Sequence, residues 1–152
     1  MVSPELLRRY PFFGGLTDDE LAGIAMIANE VSYPSGATIF HEGDVATKIY
    51  VLVSGTVALI YEIPKTTGMT TSYVGSIAQG EAFGISAFVE PYRLGATTRA
   101  EGPVKVITID AIGLRAMSEV DYHLGYTIMR QIARALAERL NFARVQLAAS
   151  RE

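Results

Sequence analysis

The chain has 152 residues, of which 49% are hydrophobic and 19% charged, with a formal net charge of −3 and no cysteine. This length suits one domain with a single core, and the composition is that of a globular protein. The negative net charge argues against a protein that binds nucleic acid through its phosphates. The lack of cysteine excludes disulfides, thiol nucleophiles and thiolate metal sites.

The N-terminal segment, residues 1–29, is predicted to be helical. Thr17 and Glu20 have the spacing of a capping box ahead of an apolar run, which predicts a helix over 17–28. The first ten residues include the charged Glu5, Arg8 and Arg9 and lack the apolar run of a secretory leader, so we expect a cytoplasmic protein. We expect no membrane contact, because no apolar run reaches the about 20 residues that a span needs.

Residues 30–110 show the pattern of an all-β barrel, in which short runs rich in Val, Ile, Tyr and Thr alternate with turn residues. The predicted strands are 30–33, 38–40, 49–53, 57–63, 71–77, 96–101 and 104–110. Ser54 with Gly55 and Gly102 with Pro103 predict turns between neighbouring strands. Residues 65–71 predict a polar hairpin loop.

The C-terminal segment, residues 111–152, is predicted to return to helix. Asp110 can cap a short helix that ends near Met117, and Asp121 can cap a long helix from near Tyr122 to about residue 148. At about 1.5 Å per residue this second helix would be roughly 40 Å long.

An apolar stripe runs along the predicted long helix at spacings of four and three residues. Its members are Leu124, Ile128, Ile132, Leu136, Leu140, Ala143 and Leu147. Because so long a helix extends beyond a small barrel, part of the stripe must pack against another surface to be buried. We therefore predict a homodimer whose interface contains Leu124, Ile128, Ile132, Leu136 and Leu140, and packing of the stripe against its own domain is the alternative.

The order of helix, β-barrel, short helix and long helix resembles the cyclic nucleotide-binding domain of the catabolite activator protein family and of protein kinase A regulatory subunits. Within residues 34–60, the family's glycine-rich strand pattern matches at Gly36, Ile39, Gly43, Asp44, Tyr50, Leu52, Gly55 and Val57. Residues 80–100 resemble the family's phosphate-binding cassette without a gap, and the long last helix resembles its dimerisation helix. The resemblance implies a single domain with a mainly β fold, a double-stranded β-helix (jelly-roll) barrel flanked by helices.

The same resemblance implies a set of ligand-binding positions in the cassette. These are Phe83, Gly84, Ile85, Ser86, Ala87, Arg93, Leu94, Gly95, Ala96 and Thr97. In the family pattern a glutamate takes the ribose hydroxyl and an arginine pairs with the cyclic phosphate, and Ile85 and Leu94 stand at those two positions. Arg93 lies one residue early, so in an extended segment it faces away from the side of Leu94 unless a bulge redirects it.

Three interpretations of the apolar cassette stay open. The domain has no ligand and acts as a structural or dimerisation module, or it senses a different and more apolar small molecule. In the third interpretation a cyclic nucleotide binds weakly, through backbone N–H groups of the cassette with Ser86, Thr97, Thr98 and Arg93. The ligand implied is a cyclic nucleotide or another small molecule, and we expect cAMP to bind weakly or not at all.

Other chemistries find little support in the sequence. His41 and His123 are too few for a cupin-type metal centre and are interpreted as unrelated surface residues, so we expect no metal site. No nucleophile–base motif or P-loop is present, and we predict neither a catalytic residue nor an enzyme. In the regulator family a DNA-reading helix-turn-helix follows the long helix. The sequence ends at Glu152, so we expect a sensor domain without direct nucleic-acid contact.

Overall fold

The computed structural model describes residues 1–151, and Glu152, the last residue of the predicted C-terminal segment, lies outside the described residues. Within those residues, six strands follow a pair of helices and precede another pair. The elements are α1 (Pro4–Arg8), α2 (Asp18–Met26), β1 (Ala28–Tyr33), β2 (Thr38–Phe40), β3 (Lys48–Lys65), β4 (Gly68–Ile77), β5 (Ala82–Phe83), β6 (Thr97–Asp110), α3 (Ala111–Val120) and α4 (Tyr122–Ser150). Short 3₁₀ helices cover Pro11–Phe13 and Ile85–Phe88.

The strands form one antiparallel sheet in the order β1-β6-β3-β4. β2 also pairs with β6, and β5 pairs with β3. One hydrophobic cluster joins side chains of the sheet to side chains of the flanking helices. This mainly antiparallel architecture confirms the predicted jelly-roll fold class.

The predicted turn at Ser54 and Gly55 is wrong, because strands 49–53 and 57–63 are a single strand of 18 residues. Gly55 has a φ of 92°, and the pairing of β3 with β6 shifts register on both sides of Ser54. A glycine inside a strand marks a bulge as readily as a chain reversal. β3 therefore bends at Gly55, and its pairing with β6 resumes beyond the bend in a shifted register, from Ser54 with Lys105 to Thr56 with Glu101.

The predicted turn at Gly102 is wrong for the same reason, since 96–101 and 104–110 form one strand of 14 residues. Gly102, with a φ of 87°, bends β6 beside the bend of β3. A Cβ atom on Gly55 would lie 2.5 Å from the carbonyl oxygen of Pro103. The two bends are thus packed backbone against backbone.

The predicted polar loop over 65–71 is shorter than expected. Lys65 pairs directly with Gly68, so the chain reverses in two residues and β4 begins at Gly68. β3 and β4 keep pairing up to Lys65 and Gly68, so the polar residues Thr70 and Thr71 belong to β4 and not to a loop.

The capping box at the start of α2 is confirmed. The Thr17 hydroxyl accepts a hydrogen bond from the backbone N–H of Glu20 (3.2 Å), and the Glu20 carboxylate accepts one from the N–H of Thr17 (2.8 Å). The helix ends at Met26 rather than at 28, because Ala28 already pairs with Ile109 in the sheet.

The predicted caps of the C-terminal helices are confirmed. Asp110 accepts a hydrogen bond from the N–H of Gly113 (2.8 Å), and Asp121 accepts one from the N–H of Leu124 (3.1 Å). α3 ends at Val120, beyond the predicted Met117. No helix within residues 1–151 is both long and apolar enough to cross a membrane.

The structure corrects the predicted dimer interface. Leu124, Ile128 and Ile132 are only 1%, 0% and 0% exposed within a single chain, because the first half of α4 packs on its own core. Of the five predicted interface residues, Leu136 and Leu140 remain available, at 49% and 51% exposure. The stripe therefore divides between the chain's own core and solvent.

Candidate functional site

The backbone of the cassette turns sharply at Gly84. This residue has a φ of 65° and precedes the 3₁₀ helix Ile85–Phe88, whose Ala87 N–H donates to the Gly84 carbonyl (3.1 Å). A Cβ atom at Gly84 would lie 2.8 Å from Cδ1 of Tyr50. Both the left-handed conformation and the close approach of the Tyr50 ring therefore require glycine.

The two anchor positions of the cassette are filled with buried hydrocarbon. Ile85 is 5% exposed and Leu94 is 7% exposed, and both belong to the hydrophobic core. Next to them the Tyr50 and Phe83 rings stack with centroids 5.0 Å apart. Burial, with a smaller contribution from Tyr33, raises the pKa of Tyr50 to about 12, so its phenol stays neutral.

Arg93 and Leu94 lie beside residues 43–45, where Arg93 forms an isolated antiparallel bridge with Val45. The Leu94 N–H donates to the Asp44 carbonyl (2.9 Å), and the Leu94 carbonyl accepts from the Gly43 N–H (2.8 Å). Arg93 is exposed and donates through Nη1 to the Gly43 carbonyl (3.2 Å). The Arg93 side chain is therefore exposed at the Gly43 carbonyl, whereas the neighbouring Leu94 side chain is buried.

The other predicted cassette residues lie at different depths. Ser86 and Ala96 are half-buried, Gly95 is exposed and Thr97 is buried. The Thr97 hydroxyl accepts a hydrogen bond from the backbone N–H of Glu42 (3.0 Å), so it stabilises a contact within the barrel.

Thr98 has unmet hydrogen-bonding capacity. Its Oγ1 atom is buried and lacks a partner within residues 1–151. Thr98 pairs with Leu59 on β3 and Phe40 on β2, and paired residues of an antiparallel sheet present their side chains on the same face. A buried hydroxyl without a partner is the kind of group that a ligand can satisfy.

A cavity of about 310 Å³ lies between β4 and α4. Its walls combine apolar and charged side chains, and its lining residues are Leu59, Val74, Gly75, Ser76, Ala78, Glu81, Glu138, Arg139 and Phe142. A second cavity, of about 240 Å³, borders Leu94 and the 41–48 loop. The first of these cavities has the volume of a small-molecule site.

Two arginines outside the cassette motif contact its backbone. Arg115 of α3 donates to the carbonyl of Ala87, and Arg139 of α4 donates to the carbonyl of Ala82. Burial lowers the pKa of the Arg139 guanidinium, while Glu81 and Glu138 oppose that shift. The sequence pattern did not reveal these contacts, because charged residues on a helix usually indicate a solvated face.

His123 is not an isolated surface histidine as predicted. Its Nδ1 atom lies 2.9 Å and 3.0 Å from the two carboxylate oxygens of Glu20, which ties α4 to α2. Glu20, Asp121 and His123 offer potential ligand atoms within 4.8 Å of one another. However, the two carboxylates cap the positive N-terminal ends of α2 and α4, a setting that favours anionic groups and opposes a bound cation.

Comparison with known proteins agrees with this geometry. The model of the cyclic nucleotide-binding domain family matches residues 30–121. A solved structure from Geobacter metallireducens GS-15, assigned as a cyclic nucleotide-binding protein, superposes with a TM-score of 0.82. It is 40% identical, over 92% of this chain and 99% of that chain.

Two relatives are longer proteins. Glutaminase 1 of Bradyrhizobium diazoefficiens is 31% identical over 147 residues, which are 93% of this chain and 22% of that protein. The cAMP-activated global transcriptional regulator of Pasteurella multocida is 29% identical over 105 residues, which are 68% of this chain and 49% of the regulator. The chain thus spans half or less of the length of these relatives. Because the family model covers more than half of the chain, and the fold and cassette agree with it, the chain belongs to the cyclic nucleotide-binding domain family.

Proposed function

We propose that the chain is a non-catalytic regulatory domain whose cassette binds cAMP weakly or not at all. The observation that carries this proposal is the burial of Ile85 and Leu94, at 5% and 7% exposure, where the family has a glutamate and an arginine. A cyclic phosphate placed beside Leu94 would lose its water without gaining a cation, which is costly in a low-dielectric interior.

The size of the loss is decisive. Hydrogen bonds to charged groups contribute about 1.5–3 kcal/mol each, so losing both anchors removes roughly 3–6 kcal/mol. A micromolar complex is held by about 8.2 kcal/mol, and such a loss raises its dissociation constant by roughly 10²- to 10⁴-fold, to between about 0.1 and 10 mM. Backbone N–H groups of the cassette would then have to hold the nucleotide almost alone.

The test is calorimetric titration of the chain with cAMP, cGMP and a panel of cyclic dinucleotides. We expect no micromolar binding of cAMP to the natural chain. The double variant Ile85→Glu, Leu94→Arg should gain affinity for cAMP, whereas the uncharged pair Ile85→Gln, Leu94→Met serves as its control. Circular dichroism would reveal whether the charged double variant folds. If it does not fold, the titration of the natural chain with cAMP still tests the proposal. Micromolar binding of cAMP there would contradict the proposal.

A sensor of a more apolar ligand is the first alternative. The cavity of about 310 Å³ beside α4 supports it, because apolar walls from Leu59, Val74 and Phe142 are combined with the Arg139 guanidinium. The unpartnered Thr98 hydroxyl lies on the same face of the sheet as Leu59. Micromolar binding of a ligand other than cAMP in the same titrations would favour this alternative.

A dimerisation module is the second alternative, and an exposed stripe on α4 favours it. This stripe, called the α4 seam below, consists of Met129, Ala133, Leu136, Leu140, Ala143 and Leu147. Alternating spacings of four and three residues are those of a coiled-coil interface. The exposed fractions of Met129, Leu136, Leu140 and Leu147 in a single chain are 41%, 49%, 51% and 52%. These side chains therefore remain free for a second copy.

The proposed function also includes a single-domain organisation and no direct contact with nucleic acid. The segments 1–29, 30–110 and 111–152 would act as one domain, in keeping with the single hydrophobic cluster that joins their described residues. The formal net charge of −3 supports a domain that makes no direct contact with nucleic acid.

A further inference from the structure

The floor of the cavity between β4 and α4 is built by three neighbouring strands. Thr98 on β6 pairs with Leu59 on β3, and Leu59 pairs with Gly75 on β4. Paired residues of an antiparallel sheet present their side chains on the same face, so the three residues form one row, and Leu59 and Gly75 line the cavity. A Cβ atom on Gly75 would lie 3.7 Å from Cδ1 of Leu59, which is an ordinary contact. The missing side chain of Gly75 therefore leaves open space above the floor.

The walls of this cavity present apolar side chains that are incompletely covered. Val74 of β4 is 42% exposed, and Phe142 of α4, which lies outside the α4 seam, is 54% exposed. In the floor, the buried hydroxyl of Thr98 next to Leu59 lacks a partner within residues 1–151. Removing apolar surface from water is favourable, and a buried hydroxyl gains from a partner. An occupant with an apolar body would therefore be stabilised here.

Arg139 of α4 brings a positive charge to the cavity. Its Nη2 atom donates to the carbonyl of Ala82, which is a neutral acceptor, and none of the ion pairs within 4.0 Å among residues 1–151 includes Arg139. Burial lowers the pKa of this guanidinium, because the charged form loses water. A guanidinium has five N–H donors in a planar fork that fits a carboxylate, so Arg139 keeps donors for an anion.

Two carboxylates border the same cavity and limit the charge that it can accept. Glu81 and Glu138 are exposed, so water and salt screen their repulsion of an anion. The carboxylate of Glu81 is also engaged, because it accepts a hydrogen bond from the N–H of Ala78 (2.8 Å). Each further negative charge on an occupant would add to the repulsion, while Arg139 supplies one positive charge. The lining therefore favours a monoanion with an apolar body over a polyanion.

We propose that this cavity binds a small apolar monocarboxylate, whose carboxylate pairs with Arg139 and whose body covers Leu59 and Phe142. The family pattern places the cation that pairs with the ligand in the cassette, at the position of Leu94. In this chain the cation stands on α4 instead, at the side of the cavity opposite the sheet. The ligand class rests on the proposed function, since it takes the cassette anchors as lost, and it goes further by naming what the domain binds.

Calorimetric titration of the natural chain at pH 7 with phenylacetate and octanoate tests the proposal, and phenylacetamide and octanamide are the uncharged controls. Each acid should bind roughly 10- to 100-fold more tightly than its amide, the effect of hydrogen bonds between a carboxylate and a guanidinium. Arg139→Met should remove this preference, because methionine keeps an apolar contact without the charge. Arg134→Met, which removes an exposed arginine of the same helix from a neighbouring cavity, should leave the preference unchanged.

Two further variants test where the ligand lies, and they keep the test decisive if Arg139→Met does not fold. Gly75→Leu fills the space above the floor, so it should weaken the binding of acid and amide alike by about tenfold or more. Glu138→Gln removes a repulsive charge from the lining, so it should tighten the binding of the acid by about threefold and leave the amide unchanged. Circular dichroism checks that both variants are folded.

Three results would overturn the proposal. The first is that neither acid binds, and the second is that acid and amide bind the natural chain equally well. The third is a loss of acid binding in Arg134→Met without a loss in Gly75→Leu, which would place the anion in the neighbouring cavity. The titration with cAMP is separate, so weak cAMP binding together with any of these results would reject the carboxylate site and leave the proposed function standing.

Discussion

Glu20 is a buried carboxylate that joins two helices. Burial opposes its ionisation, but hydrogen bonds from the Thr17 backbone and from His123, with a further contribution from Asp121, lower its pKa from 4.5 to about 2. The side chain is 6% exposed, so its negative charge depends on these partners rather than on water. The start of α2 and the start of α4 therefore share one electrostatic contact.

The ionised form of Glu20 should stabilise the fold above its unfolded pKa of 4.5, and this contribution should disappear as the pH falls to about 2. We expect Glu20→Gln to lower the free energy of unfolding by on the order of 2 kcal/mol at pH 7. The difference between variant and natural chain should shrink between pH 5 and pH 3, as measured by urea unfolding. Asp19→Asn, an exposed neighbour in the same helix turn, is the control. A difference independent of pH would contradict this role of Glu20.

At the scale of elements, the bends of β3 and β6 decide the shape of the barrel. Gly55 and Gly102 both have positive φ values, of 92° and 87°, and each keeps its strand continuous through a change of direction. Of the two glycines, only Gly55 lacks room for a side chain, since a Cβ atom there would meet the Pro103 carbonyl at 2.5 Å and Cγ2 of Val104 at 3.0 Å, whereas one on Gly102 would meet nothing within 4 Å. Because the bends lie side by side, β3 and β6 pair on both sides of them, from Lys48 with Asp110 to Ile60 with Thr97.

Alanine substitutions at two glycines separate backbone strain from steric conflict. Gly36 has a φ of 84° with nothing within 4 Å of an added Cβ, so Gly36→Ala should cost only the strain of about 1–2 kcal/mol. Gly55→Ala carries the same strain and must also displace the Pro103 carbonyl, so it should cost clearly more. Urea unfolding of the two variants measures both values. Equal losses would show that the β3–β6 bend tolerates a side chain.

At the scale of the whole molecule, α4 has two different apolar faces. One face, which includes Leu124, Ile128 and Ile132, completes the chain's own core. The other is the α4 seam, which is exposed in a single chain and matches the spacing of a two-helix interface. Association through the seam would cover the exposed half of the helix without disturbing the barrel.

Leu136→Glu tests the proposed homodimer. Its side chain is 49% exposed in the single chain, so the variant should fold, whereas a charge in a desolvated seam should weaken association by roughly 100-fold. Sedimentation equilibrium should show a dimer for the natural chain and a monomer for the variant. Ala137→Glu, on the next residue and off the seam, should remain dimeric. A monomeric natural chain, or a dimeric Leu136→Glu, would argue against the seam.

Local patterns in the sequence were sufficient for the features that depend on neighbouring residues. The caps at Thr17, Asp110 and Asp121 are contacts between residues three apart, so their spacing predicts them directly. The fold class followed from the order of helix and strand patterns together with the glycine-rich motif. The apolar residues Ile85 and Leu94 could also be recognised from the sequence, because they interrupt a contiguous motif.

Only the tertiary structure decided the contacts between residues distant in the sequence. His123 and Glu20 are 103 residues apart, and no local pattern distinguishes this histidine from a solvated one. The same holds for Arg115 and Arg139, whose carbonyl partners become known only when helices and cassette are packed together. Spacing along α4 revealed that an apolar stripe exists, but packing against the barrel determined which residues are buried and which form the α4 seam. Helical periodicity specifies a face, whereas the partner of that face depends on the whole chain.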